Sequence, residues 1–122
     1  MGLHTELTIH KTAYDLFDAV MDLVKNMPRD FKVSIGGKLR DECIEIIVLI
    51  FRANTAREKE QHILSLIERL QVIDLMLRLS RDKRLIATRQ YAMAIQLTGS
   101  IGKQANGWRK YANSPASSGS RP

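Results

Sequence analysis

Apolar residues recur at every third or fourth position along most of this chain, the period of a helix that buries one face. The first such run covers about residues 8–27 and ends at Pro28, because proline cannot continue a helix. The next proline is Pro115, and the 86 residues between these two prolines contain none. The pattern therefore predicts a chain that is helical almost throughout.

Three further helices are predicted at about residues 35–53, 55–80 and 85–112. No alternation with period two competes with this interpretation. Four helices of this length with short joints predict an all-α fold, an antiparallel up-down-up-down four-helix bundle over residues 1–112.

Short polar residues mark the expected ends of these helices. Ser34 is placed to cap the second helix, and Asn54 or Thr55 the third, since their side chains accept hydrogen bonds from free N–H groups. The tail at residues 113–122 is rich in Ser, Gly and Pro and is expected to be disordered.

One stretch of the second predicted helix is more apolar than a single bundle requires. Between Cys43 and Phe51 the only polar residue is Glu45. A helix that is apolar all round must be covered on both sides, and a second copy of the chain is the simplest cover. We therefore expect a homo-oligomer; the alternative is a large core with some exposed Ile and Val. The expected interface residues are Ile44, Ile47, Val48 and Phe51.

Charge is distributed unevenly along the chain. Residues 76–122 carry nine Lys or Arg and one acid, whereas residues 1–75 carry ten Lys or Arg and twelve acids, for a net charge of +6. Because residues 76–122 contain too few acids to neutralise their own cations, the expected partner of this segment is a polyanion, most commonly nucleic acid. The candidate nucleic-acid-binding residues are Arg78, Arg81, Lys83, Arg84, Arg89, Lys103, Arg109 and Lys110.

Two alternatives compete with nucleic-acid binding. The cations could pair with acids of the first helix, Asp15, Asp18 and Asp22, as part of a solvated charged face. They could also dock an acidic protein, which would make the chain an adaptor. The aromatic content of 6% favours contacts to phosphates over stacking on bases.

No arrangement of residues typical of an enzyme is found. Glu58 and His62 are spaced for one helix face, but a single such pair is better explained as a solvated ion pair than as a metal site. The fragment Gly36-Gly37-Lys38 follows no strand and lacks the Ser or Thr of a phosphate loop. Cys43 is expected in the core. We expect no enzyme, no metal and no cofactor.

The expected location is the cytoplasm. No run of about 18 apolar residues is present, so no membrane span is expected, and the N-terminus has no signal-peptide pattern. A single cysteine cannot form a disulfide within the chain, which fits a reducing compartment.

Several segments resemble a known family in their order and spacing. They are Asn26-Met27-Pro28-Arg29 after the first helix, Asp74-Leu75-Met76-Leu77-Arg78-Leu79 near the end of the third, and Gly99-Ser100-Ile101-Gly102 with Gly107-Trp108 in the fourth. Over about residues 8–112 the chain resembles the four-helix-bundle proteins related to those encoded in ribosomal-RNA intervening sequences. Among these it is most similar to the accessory variability determinants of diversity-generating retroelements.

The resemblance implies a basic, cytosolic, homopentameric barrel of four-helix protomers without catalytic activity of its own. It implies reverse transcriptase and RNA or DNA as partners, in support of error-prone, adenine-directed cDNA synthesis from a template RNA. The ribosomal intervening-sequence branch is the alternative. Membership there would keep the fold but remove the link to reverse transcriptase.

Overall fold

The computed structural model describes residues 2–113, with side chains from residue 8 onward. Its helices are α1 (Gly2–Lys25), α2 (Arg29–Phe31), α3 (Gly37–Thr55), α4 (Glu60–Asp82) and α5 (Thr88–Ala112), and a π-helical turn, Lys32–Gly36, joins α2 to α3. No β-strand occurs within residues 2–113. The all-α prediction is therefore confirmed for this part of the chain.

Each of the four long helices packs against two others. Helix α3 contacts α1 and α4, and α5 contacts α4 and α1. Their apolar faces meet in one core, to which every long helix contributes fully buried side chains, among them Leu16, Ile46, Leu66 and Ile101. The four-helix bundle predicted from the apolar period is thus observed. None of the helices in residues 2–113 has the length and hydropathy needed to cross a membrane.

The start of α3 differs from the expectation because α1 and α3 approach each other closely. A Cβ added to Gly36 would lie 2.6 Å from Cγ1 of Val24, so only glycine fits there. Ser34, expected as a helix cap, instead lies inside the π-helical turn and donates its hydroxyl to the Asp30 carbonyl at 3.0 Å. The helical path is therefore continuous into α3 and needs no cap.

The connection between α3 and α4 is closed by a lysine rather than by a short polar cap. Thr55, expected to cap the third helix, is the last residue of α3, and α4 begins at Glu60. The Nζ of Lys59 donates to the carbonyls of Ala53, Asn54 and Ala56 at 2.9, 3.1 and 2.9 Å. Carbonyls left free at the end of α3 thus obtain a hydrogen-bond donor from Lys59, the residue just before α4.

The first and last parts of the chain also depart from the expected bounds. Helix α1 extends back to Gly2 rather than starting near residue 8, and α5 starts at Thr88 rather than Leu85. Leu85 is buried in the turn before α5, so its apolar character reflects the core and not a helix face. Of the tail expected to be disordered, residues 114–122 lie outside the described residues.

Candidate nucleic-acid interface

Cations from two separate connections lie at one end of the bundle. Asn26, just after α1, lines a surface groove together with Arg84 and Arg89. A second groove is lined by Lys25, Lys32 and Arg40 together with Asp18 and Asp22. We call the end formed by these five cations the basic end. The charge pattern of the sequence points to Arg84 and Arg89 but not to the other three cations, because these belong to the half of the chain with a net negative charge.

Arg84 occupies a backbone position that favours glycine. Its φ is 59°, and the N–H of Leu85 donates to the Ser80 carbonyl at 2.8 Å, the bond that closes a Schellman-type end of α4. An arginine in this left-handed conformation costs roughly 1 kcal/mol or more relative to glycine. Its side chain is exposed, and it has no ion pair among residues 8–113.

Helix α5 begins beside Arg84 without a side-chain cap. The residue before its first turn is Ala87, whose methyl group accepts no hydrogen bond. The Oε1 of Gln90 accepts the Ala87 N–H at 3.2 Å. The N–H groups of the first turn of α5 obtain no acceptor from the side chain of Ala87, which is the arrangement that binds anions at helix starts. Arg89, in the first turn, is exposed. This groove offers a phosphate both N–H donors and two guanidinium groups.

Arg81, also proposed from the sequence, is held by its own protein. Its guanidinium lies 4.4 Å from the ring centroid of Tyr91, and its Nη2 is 3.0 Å from the carboxylate of Asp82. It is half-buried. These contacts connect the end of α4 to the start of α5, so Arg81 orders the turn that carries Arg84.

Two more of the proposed cations follow Arg89 along the outward side of α5. Lys103 and Lys110 are exposed and form no ion pair within the described residues. Gly99 and Gly107 lie on the same side, and a Cβ added to either would have open space around it in the bundle. The glycines therefore do not serve packing between the helices of the bundle, and they leave this side of α5 flat.

Arg109 differs from its neighbours because it forms an ion pair across the bundle. Its Nε donates to Oε2 of Glu60 at 3.1 Å, and the Asn113 amide donates to the other carboxylate oxygen. These two hydrogen bonds lower the pKa of the Glu60 carboxyl, and the bond from Asn113 has the larger effect. Arg109 therefore ties the end of α5 to the start of α4.

The acids of α1 do not neutralise the proposed cations. Asp15 pairs with Lys11 at 3.3 Å, and no ion pair within residues 8–113 involves Asp18 or Asp22. The alternative in which these three aspartates pair with the basic face is therefore not what the structure shows. Arg78 and Lys83 are exposed near the end of α4 and are likewise without an ion pair in this range.

The apolar stretch of α3 is divided between the core and the surface. Ile46, Leu49 and Ile50 are buried, whereas the proposed interface residues face outward to different degrees. Ile47 and Val48 are half-buried, and Ile44 and Phe51 are exposed. The bundle formed by one chain therefore leaves part of this stretch uncovered.

A buried ion pair between α3 and α4 was missed by sequence reasoning. Glu42 is buried, and its carboxylate accepts two hydrogen bonds from Arg69. The neighbouring Cys43 lies in the core, as expected. Burial, and to a smaller extent the negative charge of Glu42, raise the pKa of its thiol to about 12. Such a thiol is almost entirely protonated at neutral pH and is a poor nucleophile.

The pair Glu58 and His62 does not share a helix. Glu58 lies in the connection before α4, and His62 lines the groove between α3 and α4. Within the described part of the chain, no group of three or more His, Cys, Asp or Glu residues is arranged to hold a metal ion.

Comparison with protein families decides the identity of this bundle. The model of the bAvd-like family matches residues 7–112, which is nearly the whole chain. The chain belongs to the bAvd-like family. Its members are the accessory variability determinants, so the resemblance drawn from the sequence is confirmed. No curated protein and no solved structure matches this chain.

Membership of the bAvd-like family has two consequences for the site. The family is one of accessory proteins of diversity-generating retroelements. The matched range also includes both connections of the basic end and the whole of α5. The basic end and α5 therefore lie within the residues that the family model matches.

Proposed function

We propose that this bAvd-like protein is a non-catalytic, nucleic-acid-binding subunit of a diversity-generating retroelement. It acts in the cytoplasm beside the reverse transcriptase during mutagenic cDNA synthesis from the template RNA. The observation that carries nucleic-acid binding is the groove at the start of α5, where Arg84 and Arg89 flank N–H groups without a side-chain cap. Family membership supplies the link to the retroelement.

The bound group is the phosphate backbone rather than the bases. The unpaired cations run from Arg89 to Lys110 along α5, a distance of about 30 Å at the helical rise of 1.5 Å per residue. A surface of this length contacts several phosphates of RNA or DNA in succession. Binding through phosphates gives affinity without sequence preference.

The protomer is proposed to be an antiparallel bundle that assembles into a homopentamer. Arg109 near the end of α5 contacts Glu60, the first residue of α4, and Gln104 of α5 donates to Thr12 in the first half of α1 at 3.1 Å. The first contact joins the end of α5 to the start of α4, and the second joins the second half of α5 to the first half of α1, as expected for antiparallel neighbours. The exposed Ile44 and Phe51 supply the apolar surface for assembly.

Binding of a labelled RNA, and of a DNA duplex, at several salt concentrations tests the proposal. Arg84→Gln combined with Arg89→Gln should weaken binding to both and flatten the salt dependence, because log K changes with log salt by about 0.9 for each phosphate contact. The matched control is Arg52→Gln combined with Arg57→Gln, which removes two exposed arginines elsewhere on the protomer and the same net charge. Circular dichroism and light scattering verify that both variants remain folded and assembled.

Equal salt slopes in the wild type and both double variants would show that the basic end does not hold nucleic acid. An absence of RNA and DNA binding by the wild type, together with capture of an acidic protein, would instead favour the adaptor. Light scattering that shows a monomer of 13.9 kDa at micromolar concentration would exclude the homopentamer.

A further inference from the structure

Seven consecutive residues project from the bundle between α1 and α3. Residues 28–34 are all exposed, whereas Met27 before them and Gly36 after them are buried. We call residues 28–34 the projecting turn. Its backbone forms a helical turn, in which the N–H of Phe31 donates to the Pro28 carbonyl at 3.0 Å. The side chains of this segment are therefore presented on a hydrogen-bonded backbone.

Two large apolar side chains lie on the projecting turn. Phe31 is 42% exposed and Val33 78%. Every other exposed large apolar residue within residues 8–113 belongs to one of the four long helices, α1, α3, α4 and α5. Copies of the chain that pack side by side cover the helices and not the end of the bundle. Phe31 and Val33 therefore need a different partner.

The two connections at this end of the bundle differ in charge. Residues 78–89, around the α4–α5 connection, contain five Lys or Arg and one acid, for a net charge of +4. Residues 18–42, on the α1–α3 side, contain five Lys or Arg and five acids, for a net charge of zero. One half of this end thus attracts phosphates, and the other half is neutral overall and presents an aromatic ring.

The projecting turn adjoins the groove that we propose for phosphates. Asn26 lines that groove with Arg84 and Arg89, and Phe31 follows Asn26 by five residues. Because the chain forms a helical turn from Pro28 to Phe31, the Cα atoms of Asn26 and Phe31 are at most about 12 Å apart. A few nucleotides of an extended strand span this distance.

We propose that the basic end binds a single-stranded segment of RNA or DNA, with phosphates on Arg84 and Arg89 and a base stacked on the ring of Phe31. A single strand offers phosphates on one side and exposed base faces on the other, which matches the two halves of this end. A duplex keeps its base faces within its own stack and offers Phe31 no partner.

This inference rests on the proposed nucleic-acid binding and adds one base contact to the phosphate contacts. Stacking on an aromatic ring accepts every base, because every base has an apolar face. The added contact therefore selects single strands over duplexes without selecting a sequence.

Affinities for single-stranded and duplex RNA of the same sequence test the base contact. Phe31→Ala should weaken binding of the single strand about tenfold, because the stacking surface is lost. It should leave the affinity for a long duplex and the salt slopes of both RNAs unchanged, because no cation is removed. Leu64→Ala is the control, since Leu64 is 38% exposed and lies one turn after the start of α4, at the opposite end of the bundle. Circular dichroism and light scattering verify folding and assembly.

Two further measurements separate stacking from a structural role of the ring. Phe31→Trp should retain the affinity for the single strand, and binding of the strand should quench its tryptophan fluorescence. The wild type gives the background, because its only tryptophan, Trp108, is buried. An abasic strand of the same length should bind equally to the wild type and to Phe31→Ala, because it lacks the group that stacks.

The possible results separate this inference from the proposed function. A wild type that binds RNA, together with unchanged single-strand affinity in Phe31→Ala, would overturn the base contact and leave the phosphate contacts in place. Equal losses for the single strand, the long duplex and the abasic strand would also overturn it. A loss of binding to vesicles of an anionic lipid, with single-strand affinity unchanged, would assign the projecting turn to a membrane surface instead. A wild type that binds neither RNA nor DNA would reject the proposed function together with this inference.

Discussion

Arg69 donates two hydrogen bonds to the buried carboxylate of Glu42, at 3.1 Å to Oε1 and 2.9 Å to Oε2. The pair joins α4 to α3 across the bundle, and Lys38 approaches the same carboxylate at 3.9 Å. Removal of the arginine would leave a buried carboxylate with one distant cation, which is a costly state for a charge.

Arg69→Met should therefore lower the free energy of unfolding by about 2–3 kcal/mol, somewhat less than for a fully buried pair because Arg69 is partly exposed. Urea denaturation followed by circular dichroism measures the loss. Adding Glu42→Met should return part of it, since the unpaired charge is then also removed. Arg52→Met is the control, and a loss as large as that of Arg69→Met would contradict the role of the pair.

Arg84→Gly should change stability and binding in opposite directions. The φ of 59° suits glycine, so the substitution should stabilise the protein by about 1 kcal/mol. It should also weaken RNA binding, because a cation of the basic end is lost. Thermal unfolding and an RNA titration on the same preparation measure both effects. Unchanged RNA affinity would remove Arg84 from the proposed interface.

Substitution by alanine should have opposite effects on stability at the glycines of α5 and at Gly36, which lies against Val24 of α1. Gly99→Ala and Gly107→Ala add a methyl group in open space and should stabilise the protomer by roughly 0.5–1 kcal/mol each. Gly36→Ala places its methyl group against Val24 and should destabilise the protein. Denaturant midpoints of the three variants provide the comparison. Equal shifts at all three positions would contradict the packing described here.

Stability should depend on pH through Glu60. Hydrogen bonds from Asn113 and Arg109 lower its pKa below the ordinary value of 4.5, so the folded state favours the ionised carboxyl. The stabilising contribution is complete above pH 4.5 and is lost as the pH falls through the lowered pKa. The difference in Tm between the wild type and Glu60→Gln should therefore be constant near neutral pH and disappear in acid.

Thermal unfolding at a series of pH values checks this dependence, with Asn113→Ala as the companion variant. Asn113→Ala removes the largest cause of the lowered pKa of Glu60. The stabilising contribution of the Glu60 carboxylate should therefore be lost at a higher pH in this variant than in the wild type. A difference between wild type and Glu60→Gln that persists unchanged in acid would exclude the ionised carboxyl as the source.

The helix ends were the least predictable part of the fold. Ser34, Asn54 and Thr55 were reasonable caps from the sequence, yet none of them caps a helix in the structure. A π-helical turn makes a cap before α3 unnecessary, and Lys59 reaches back to two carbonyls of α3 and to that of Ala56 just after it. Long side chains and close helix contacts decide such ends, and neither has a local sequence pattern.

The candidate site was predictable in part. The sequence identified Arg84, Arg89, Lys103 and Lys110 from the shortage of acids around them, and the structure leaves all four exposed. It could not separate them from Arg81 and Arg109, which have the same chemistry but are held by Tyr91 and Glu60. Tyr91 and Glu60 each lie on a different helix from the arginine they contact, and only the packing of the bundle brings them close.

The sequence alone determined that this protein is a four-helix bundle with an excess of cations in its C-terminal part. It could do so because apolar period and net charge are properties of the chain itself. Tertiary structure decided which cations remain free and which carboxylates lack a partner. It also placed Lys25, Lys32 and Arg40 at the same end of the bundle as Arg84 and Arg89, in two separate grooves, since residues distant in sequence meet where helix ends come together. Electrostatic pairing acts over a few ångströms in space, and a sequence records only separation along the chain.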